Sequence, residues 1–94
     1  MKAKILAYYG YNYTDKNTGE VKSGRSIDVQ QLMEFNQDDN RGNFSIGYTC
    51  KTNIRVPAKY SHYDMLEFVG KDCELYFGQA PGSKYESLVE IELI

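Results

Sequence analysis

The stretch FSIGYTCKTNIRV, residues 44–56, decides the predicted fold. Its residues alternate between apolar and polar types, and side chains of a strand alternate between its two faces, so the pattern predicts one long β-strand. The face predicted to be buried consists of Phe44, Ile46, Tyr48, Cys50, Thr52, Ile54 and Val56. A strand of this length spans roughly 43 Å. It must therefore bend around a core, and Gly47 is the predicted bending point.

The residues before this strand predict a long hairpin. Residues 2–14 read as a first strand, residues 15–20 as a turn and residues 21–24 as the returning arm. Gly10 interrupts a group of tyrosines and is a candidate β-bulge. With a bulge there, Tyr11 and Tyr13 point outward; without one, Tyr8 and Asn12 do.

The second strand is predicted over residues 25–35. Its inward face comprises Ile27, Val29, Met33 and Phe35. Gln31 and Leu32 break the alternation, so a bulge or an edge position is expected near them. A polar connection over residues 36–43 leads into the long strand.

A change of periodicity after Pro57 predicts a helix. Ser61 followed by Asp64 fits a capping box, and Gly70 supplies a left-handed stop. Apolar residues between them recur at helical spacing, namely Met65, Leu66, Phe68 and Val69. Two strands follow, over residues 72–77 and 85–94, with Cys73, Leu75, Phe77, Val89, Ile91 and Leu93 predicted inward.

The element order is therefore three strands, one short helix and two strands. This order is typical of the OB-fold, a five-stranded Greek-key barrel. We expect a mainly β, OB-fold-like barrel with the helix between strands 3 and 4, formed by residues 1–94 as a single domain.

The net charge of −2 argues against a strongly basic nucleic-acid binder, but the charge is unevenly distributed. Residues 1–60 carry nine Lys or Arg and six Asp or Glu, whereas residues 61–94 carry two and seven. An anionic partner is thus expected to meet the N-terminal half.

The two cysteines, Cys50 and Cys73, both fall on apolar faces. Buried free thiols in a reducing compartment are the favoured interpretation, with a disulfide as the alternative. Zinc needs more ligands than these cysteines and His62 can supply, and Asp38 with Asp39 reads as a solvated turn. We expect no metal and no cofactor. The sequence shows no signal peptide and no apolar run long enough to span a membrane, which predicts a cytoplasmic protein.

Catalysis is not expected from this sequence. His62 lies beside the helix cap and reads as a solvated surface residue. Because both cysteines are predicted to be buried, no Cys/His pair can be assembled, and no Ser/His/Asp arrangement is evident.

The outward face of strands 2 and 3, with its flanking loops, is the predicted binding surface. OB-folds commonly bind oligonucleotides there, with cations following the phosphates and aromatic rings stacking on bases. The candidate residues are Tyr8, Tyr11, Tyr13, Lys16, Lys22, Arg25, Lys51, Arg55 and Lys84. Asp28 and Glu34, predicted on the same face, weigh against an anionic ligand unless they pair with its cations.

The layout resembles the small single-stranded-DNA-binding proteins of filamentous phages and related mobile elements. The resemblance is carried by the cationic and aromatic hairpin at residues 13–25, by GRSIDVQQL at residues 24–32, and by the closing strands at residues 77–93. The glutamates of the last strand depart from the usual basic character. The resemblance implies a homodimer that coats single-stranded DNA, in preference to RNA, cooperatively and without sequence preference.

Two other functions remain open. The acidic C-terminal half could bind a basic protein partner, which would make the chain a regulatory or protein-interaction barrel. A small molecule or sugar could also occupy the same fold.

Overall fold

The computed structural model describes residues 1–38, 40, 42–79 and 81–94, without the side chains at positions 32–38, 43 and 45. Within this part of the chain the elements are β1 (Lys2–Thr14), β2 (Val21–Asp38), β3 (Asn43–Arg55), α1 (His62–Phe68), β4 (Asp72–Gln79) and β5 (Glu86–Leu93). A mainly β chain with one short helix between its third and fourth strands is thus confirmed. The predicted inward positions of Met33 and Phe35 and the outward position of Glu34 concern side chains outside the described part. Of the predicted turn at Asp38 and Asp39, Asp38 is the last residue of β2 and Asp39 lies outside the described residues.

The strands form one antiparallel sheet in the order β3-β2-β1-β4-β5. Three consecutive strands followed by a fourth that returns beside the first is the Greek-key arrangement. The sheet is not closed into a barrel, because within the described residues β3 pairs with β2 alone and β5 with β4 alone. At the end of β3 the chain stays on β2, where Val56 N–H donates to the Arg25 carbonyl at 2.9 Å. The expected closed barrel is therefore corrected to an open sheet.

One face of the sheet and the helix enclose the core. Its buried side chains are Ala3, Ile5, Ile27, Val29, Val56, Met65, Cys73, Leu75, Leu88 and Ile91. Met65 is the buried residue of α1, and it joins the helix to the strands. The helix begins with the predicted capping box: Asp64 N–H donates to Ser61 Oγ at 3.1 Å, and Ser61 N–H donates to the Asp64 carboxylate at 2.9 Å. Gly70 follows the helix at φ 83°.

The tyrosines of β1 are sorted by a bulge that precedes them. The pairing of β1 with β2 shifts between Ile5 and Ala7, so the bulge lies at Leu6 rather than at Gly10. As a result Tyr8 lies opposite the buried Ile27 and packs against the core, whereas Tyr11 and Tyr13 point outward. Of the two predicted alternatives, the structure shows the one in which Tyr11 and Tyr13 point outward.

A second bulge overturns the predicted buried face of β3. Ile54 lies opposite Ile27 and Lys51 opposite Val29, so three steps along β3 match two along β2. The additional residue is accommodated at Asn53, which has φ 58°. Beyond the bulge the faces are exchanged. The members of the predicted buried set that are exposed as a result are Phe44, Ile46, Tyr48 and Cys50, together with Thr52 at the bulge itself.

The cysteine prediction is accordingly half right. Cys73 is buried and Cys50 is exposed, and both are free thiols. Burial raises the pKa of the Cys73 thiol.

The pairing of β4 with β5 also shifts, between Tyr76 and Phe77. Leu88 and Ile91 are the buried residues there, while Val89, Leu93 and Phe77 of β4 stay partly exposed. Among the described residues, no helix has the length and apolar character needed to cross a membrane.

Candidate nucleic-acid interface

A groove of about 590 Å³ lies at the base of the β1–β2 hairpin. Its walls come from both strands of the hairpin, the end of β3, the start of α1 and Ser87 and Leu88 of β5. Apart from Tyr11, the titratable side chains among its described lining residues are those of Arg25, Arg55 and His62. The described lining residues include no Asp or Glu. The groove is therefore a cationic site in a protein whose net charge is −2.

Arg25 is held in place by its neighbours. Its Nη1 donates to the Tyr8 hydroxyl at 2.9 Å and its Nη2 donates to the Pro57 carbonyl at 3.4 Å. The guanidinium also lies 5.9 Å from the centre of the Tyr8 ring, within reach of a cation–π contact. These partners are neutral, so they fix the side chain without cancelling its charge.

Neither groove arginine takes part in an ion pair within the described residues. The ion pairs there join the N-terminus of Met1 to Glu74 and Lys22 to Asp15. Arg55 is exposed at the end of β3 and Arg25 is half-buried. Both guanidinium groups therefore keep donors for an incoming anion.

His62 is the site residue that sequence reasoning missed. It is exposed, as predicted, but it lines the groove, and its Nδ1 lies 2.6 Å from the Tyr8 hydroxyl. The two rings meet edge to face with centroids 5.7 Å apart. Because Tyr8 is tied to both Arg25 and His62, it supports two residues that line the groove and does not offer a free stacking face.

Tyr11 and Tyr13 form an exposed stacked pair beside the groove. Their ring centroids are 6.3 Å apart with an interplanar angle of 22°. Tyr11 lines the groove and lies across Gly24, where a Cβ atom would overlap its hydroxyl end. Gly24 therefore lets the Tyr11 ring lie flat on the hairpin.

The hairpin lysines extend away from the groove. Lys16 is in the turn and Lys22 lies opposite Tyr13 on the returning arm. Lys22 Nζ is 3.5 Å from Asp15. Asp15 also accepts from the Asn17 N–H at 2.8 Å, and this hydrogen bond lowers the pKa of its carboxyl.

Lys51 and Lys84 lie apart from the groove. Lys51 is exposed but sits opposite the buried Val29, with its Nζ 3.9 Å from the Met1 sulfur. Lys84 is in the β4–β5 loop, where its carbonyl accepts from Gln79 Nε2 at 3.3 Å. Neither lines the groove.

Asp28 does not line the groove, although it keeps its negative charge because its hydrogen-bond donors are neutral. Asp28 Oδ1 accepts from the Tyr9 hydroxyl at 2.8 Å and from the Asn53 N–H at 3.0 Å. The first hydrogen bond raises the pKa of Tyr9. Asp28 thus supports the Asn53 bulge.

The opposite charge collects on β4 and β5. Glu74 lies across from Glu92 and Tyr76 across from Glu90, and the Tyr76 hydroxyl donates to Glu92 at 3.0 Å. This hydrogen bond and the surrounding carboxylates raise the pKa of Tyr76. Among the described residues, no three His, Cys, Asp or Glu side chains are grouped so that they could hold a metal ion.

Comparison with family models, curated proteins and solved structures finds no match to this chain.

Proposed function

We propose that the chain is a non-catalytic protein that binds single-stranded nucleic acid, with phosphates in the groove and bases on the tyrosine pair. The observation that carries the proposal is the combination of Arg25, Arg55 and His62 in a groove without lining carboxylates, next to stacked, exposed rings. Single-strand binding needs both cations that follow the backbone and aromatic faces that stack on bases.

The phosphate contacts are made by the two arginines. A guanidinium offers paired N–H donors that match phosphate oxygens, so each arginine can bind one phosphate with two hydrogen bonds. Arg25 is held by Tyr8 and Pro57 before the ligand arrives, and little side-chain entropy is lost when it binds. Among the described residues Arg55 has no hydrogen bond of this kind, and it lines the same groove from the end of β3.

The base contacts are made by Tyr11 and Tyr13. Stacking on an aromatic ring contributes about 1–3 kcal/mol per base and tolerates every base, because every base has a π-face. Binding without sequence preference follows. The choice of DNA over RNA and a phage or mobile-element source are supported by the sequence resemblance alone.

The test is a titration of intrinsic tyrosine fluorescence with oligo-dT at low and at moderate salt. We expect oligo-dT to quench the tyrosine fluorescence, and the quenching to weaken as salt rises. Quenching reports stacking on the rings, and its salt dependence reports contacts with the phosphates. A signal that does not change with salt, or no binding at low salt, contradicts the proposal.

A matched pair of variants assigns the stacking surface. Tyr13→Ala should weaken oligo-dT binding, because it removes half of the stacked pair. Tyr85→Ala, at a tyrosine that is 80% exposed but lies outside the groove, should leave the affinity unchanged. Equal losses in both variants would show that binding is not located at the hairpin.

The acidic strands support a second candidate function, binding of a basic protein partner. Glu90 and Glu92 are exposed on β5, and neither takes part in an ion pair within the described residues. Their carboxylates would meet the cations of a basic partner. Recovery of one stoichiometric protein that resists nuclease treatment, and that is lost in Glu90→Lys, would favour this function over the first.

A further inference from the structure

The hydroxyl of Tyr8 connects two residues that line the groove from different elements. Arg25 Nη1 of β2 donates to it at 2.9 Å, and Nδ1 of His62, the first residue of α1, lies 2.6 Å from it. The Ser61 cap fixes where the helix begins, and therefore where the imidazole stands. One phenol oxygen thus links a cation on the sheet to an imidazole on the helix.

The chemistry of these groups sets the direction of both hydrogen bonds. A guanidinium has donors and no acceptor, so Arg25 donates to the phenol oxygen. The phenol has one proton, and the other polar atom in contact with it among the described residues is His62 Nδ1. Both contacts are satisfied when Tyr8 donates that proton to Nδ1. A neutral imidazole then carries its own proton on Nε2.

We propose that Tyr8 positions His62 as a pH-dependent anion-binding residue of the groove. In the neutral state Tyr8 holds the ring so that Nε2–H makes no hydrogen bond within the described residues. When His62 is protonated, both of its nitrogens become donors and the groove gains a positive charge. A phosphate binds the charged ring more strongly than the neutral one, so affinity rises as the pH falls. This inference deepens the proposed function and rests on it for the identity of the ligand.

The strands around His62 present no carboxylate to it. Those that share the groove or contact the ring contribute Tyr8 and Tyr11 of β1, Arg25 of β2, Arg55 of β3, and Ser87 and Leu88 of β5. An imidazolium there adds a third positive charge to the two guanidinium groups. An anion is therefore the ligand that all three groups attract.

The helix and the loop before it also leave the added charge unpaired in the groove. Their titratable side chains other than His62 are Lys59, Tyr60, Tyr63, Asp64 and Glu67. None of these residues lines the groove. The Asp64 carboxylate accepts from Ser61 N–H at 2.9 Å in the helix cap, and the Lys59 ammonium lies 5.3 Å from the centre of the Tyr60 ring.

The composition of the chain makes the effect of His62 easy to isolate. The chain contains a single histidine, so the imidazole signals in an NMR spectrum belong to it. Imidazole and the α-amino group are the groups whose charge ordinarily changes between about pH 5 and 8. The amino group of Met1 is bound to Glu74 at 3.3 Å and to the Leu75 carbonyl at 2.9 Å, and none of these residues lines the groove. A pH effect on binding in this range therefore reports on His62.

Long-range proton–nitrogen NMR correlation of the free protein at about pH 8, where an ordinary imidazole is neutral, tests the hydrogen bond. We expect the wild-type protein to show the Nε2–H tautomer alone. Tyr8→Phe keeps the ring and removes the hydroxyl, so it should show a mixture of both tautomers. Tyr63→Phe, at an 83% exposed tyrosine next to His62, is the matched control and should keep the wild-type tautomer. An Nδ1–H tautomer or a mixture in the wild type, or no change in Tyr8→Phe, overturns the proposal.

A pH titration of the same signals tests anion binding without nucleic acid. The probe is sulfate, a tetrahedral dianion like phosphate, which replaces chloride at constant ionic strength. Sulfate should move the midpoint of the His62 titration to higher pH, because anion binding and protonation favour each other reciprocally. In Tyr8→Phe, where the ring is released, the movement should be smaller. A wild-type midpoint that sulfate leaves unmoved overturns the proposal.

Oligo-dT titrations at about pH 6 and pH 8, at constant ionic strength, connect this behaviour to the proposed function. The wild type should bind roughly three- to tenfold more tightly at the lower pH, which is the scale of one hydrogen bond's net contribution. His62→Gln has no proton to gain and should bind equally at the two pH values. Binding by the wild type with equal affinity at both pH values overturns the proposal. Absence of oligo-dT binding at both pH values, together with a midpoint that sulfate moves, contradicts the proposed function and supports the anion-binding role of His62.

Discussion

The groove at the hairpin base and the outer face of β4 and β5 differ in what their tyrosines contact. At the groove, Tyr8 accepts a hydrogen bond from the lining residue Arg25, and the lining residue Tyr11 stacks on Tyr13. On β4, Tyr76 donates to Glu92 among further carboxylates. One region holds cations without ion-pair partners among the described residues, and the other holds anions facing each other.

This difference teaches that the net charge of this chain is a poor guide to its partners. The value of −2 is the sum of a cationic first part and an acidic second part, and the fold keeps them on different strands. Fields from separated patches act locally, because salt screens exposed charges over about 8–10 Å.

Charge reversal at the groove should have the largest effect on the affinity for oligo-dT. Arg55→Glu removes a phosphate contact and adds repulsion, so we expect the affinity for oligo-dT to fall by more than tenfold. Lys84→Glu makes the same change of charge in the β4–β5 loop, outside the groove, and should change the affinity by less than threefold at about 0.15 M salt. Titrations of both variants decide the matter. Similar losses would mean that overall charge, and not the groove, governs binding.

Substitution of Gly24 tests the groove separately from the acidic strands, because it displaces the Tyr11 ring. In Gly24→Ala the new Cβ atom occupies the place of the Tyr11 hydroxyl end, so the ring must leave its present position. We expect oligo-dT affinity to fall by up to the contribution of one stacked base, about 1–3 kcal/mol.

Gly10→Ala is the matched control, because Gly10 also lines the groove but its added Cβ would sit at an ordinary 3.5 Å from the Gly24 carbonyl. It should bind as the wild type does. If the two alanine variants bind alike, the position of the Tyr11 ring does not matter for the ligand.

The succession of strands and helix along the chain could largely be predicted. The alternation of apolar and polar residues, the turn glycines and the Ser61 cap are all local signals. The faces of the strands could not be predicted with equal success, because a bulge exchanges them. The described ladders contain four register shifts, at Leu6, at Asn53, between Met33 and Asn36, and between Tyr76 and Phe77. Asn53 carried a signal for one of them, since asparagine tolerates the left-handed conformation better than most residues. If a bulge at Asn53 had been assumed to exchange the two faces of β3, Phe44 and Cys50 would have been predicted to be exposed.

The site was predictable to the extent that it lies on the hairpin. Tyr11, Arg25 and Arg55 were expected and do meet in one groove. His62 was missed because its contact with Tyr8 spans 54 positions and depends on where the helix docks. Lys51 was predicted to be a binding residue because the alternation of the two faces was assumed to continue past residue 53. The structure has a bulge there.

Salt dependence measures how many groove cations contact the phosphates. Single-strand binding loses about 0.7 in the log–log salt slope for each phosphate contact that is removed. Arg55→Gln should therefore flatten the slope by about 0.7 relative to the wild type. Lys84→Gln should leave the slope as it is. The slopes come from oligo-dT titrations at four or more salt concentrations, and an unchanged slope in Arg55→Gln would show that Arg55 contacts no phosphate.

The smallest expected effect is on the acidic face and concerns alkaline stability. The hydrogen bond to Glu92 raises the pKa of Tyr76 above its ordinary value of 10.0. A raised pKa in the folded state means that this interaction stabilises the fold fully below about pH 10 and is lost as the pH rises through the raised value. Tyr76→Phe removes the titrating group, so its stability should fall less steeply than that of the wild type above pH 10. Urea unfolding at neutral and alkaline pH measures the difference. Tyr63→Phe, at an 83% exposed tyrosine on α1, is the control and should follow the wild-type curve. If Tyr76→Phe also follows that curve, the Tyr76–Glu92 hydrogen bond does not contribute to stability, and the acidic strands are held by their ladder alone.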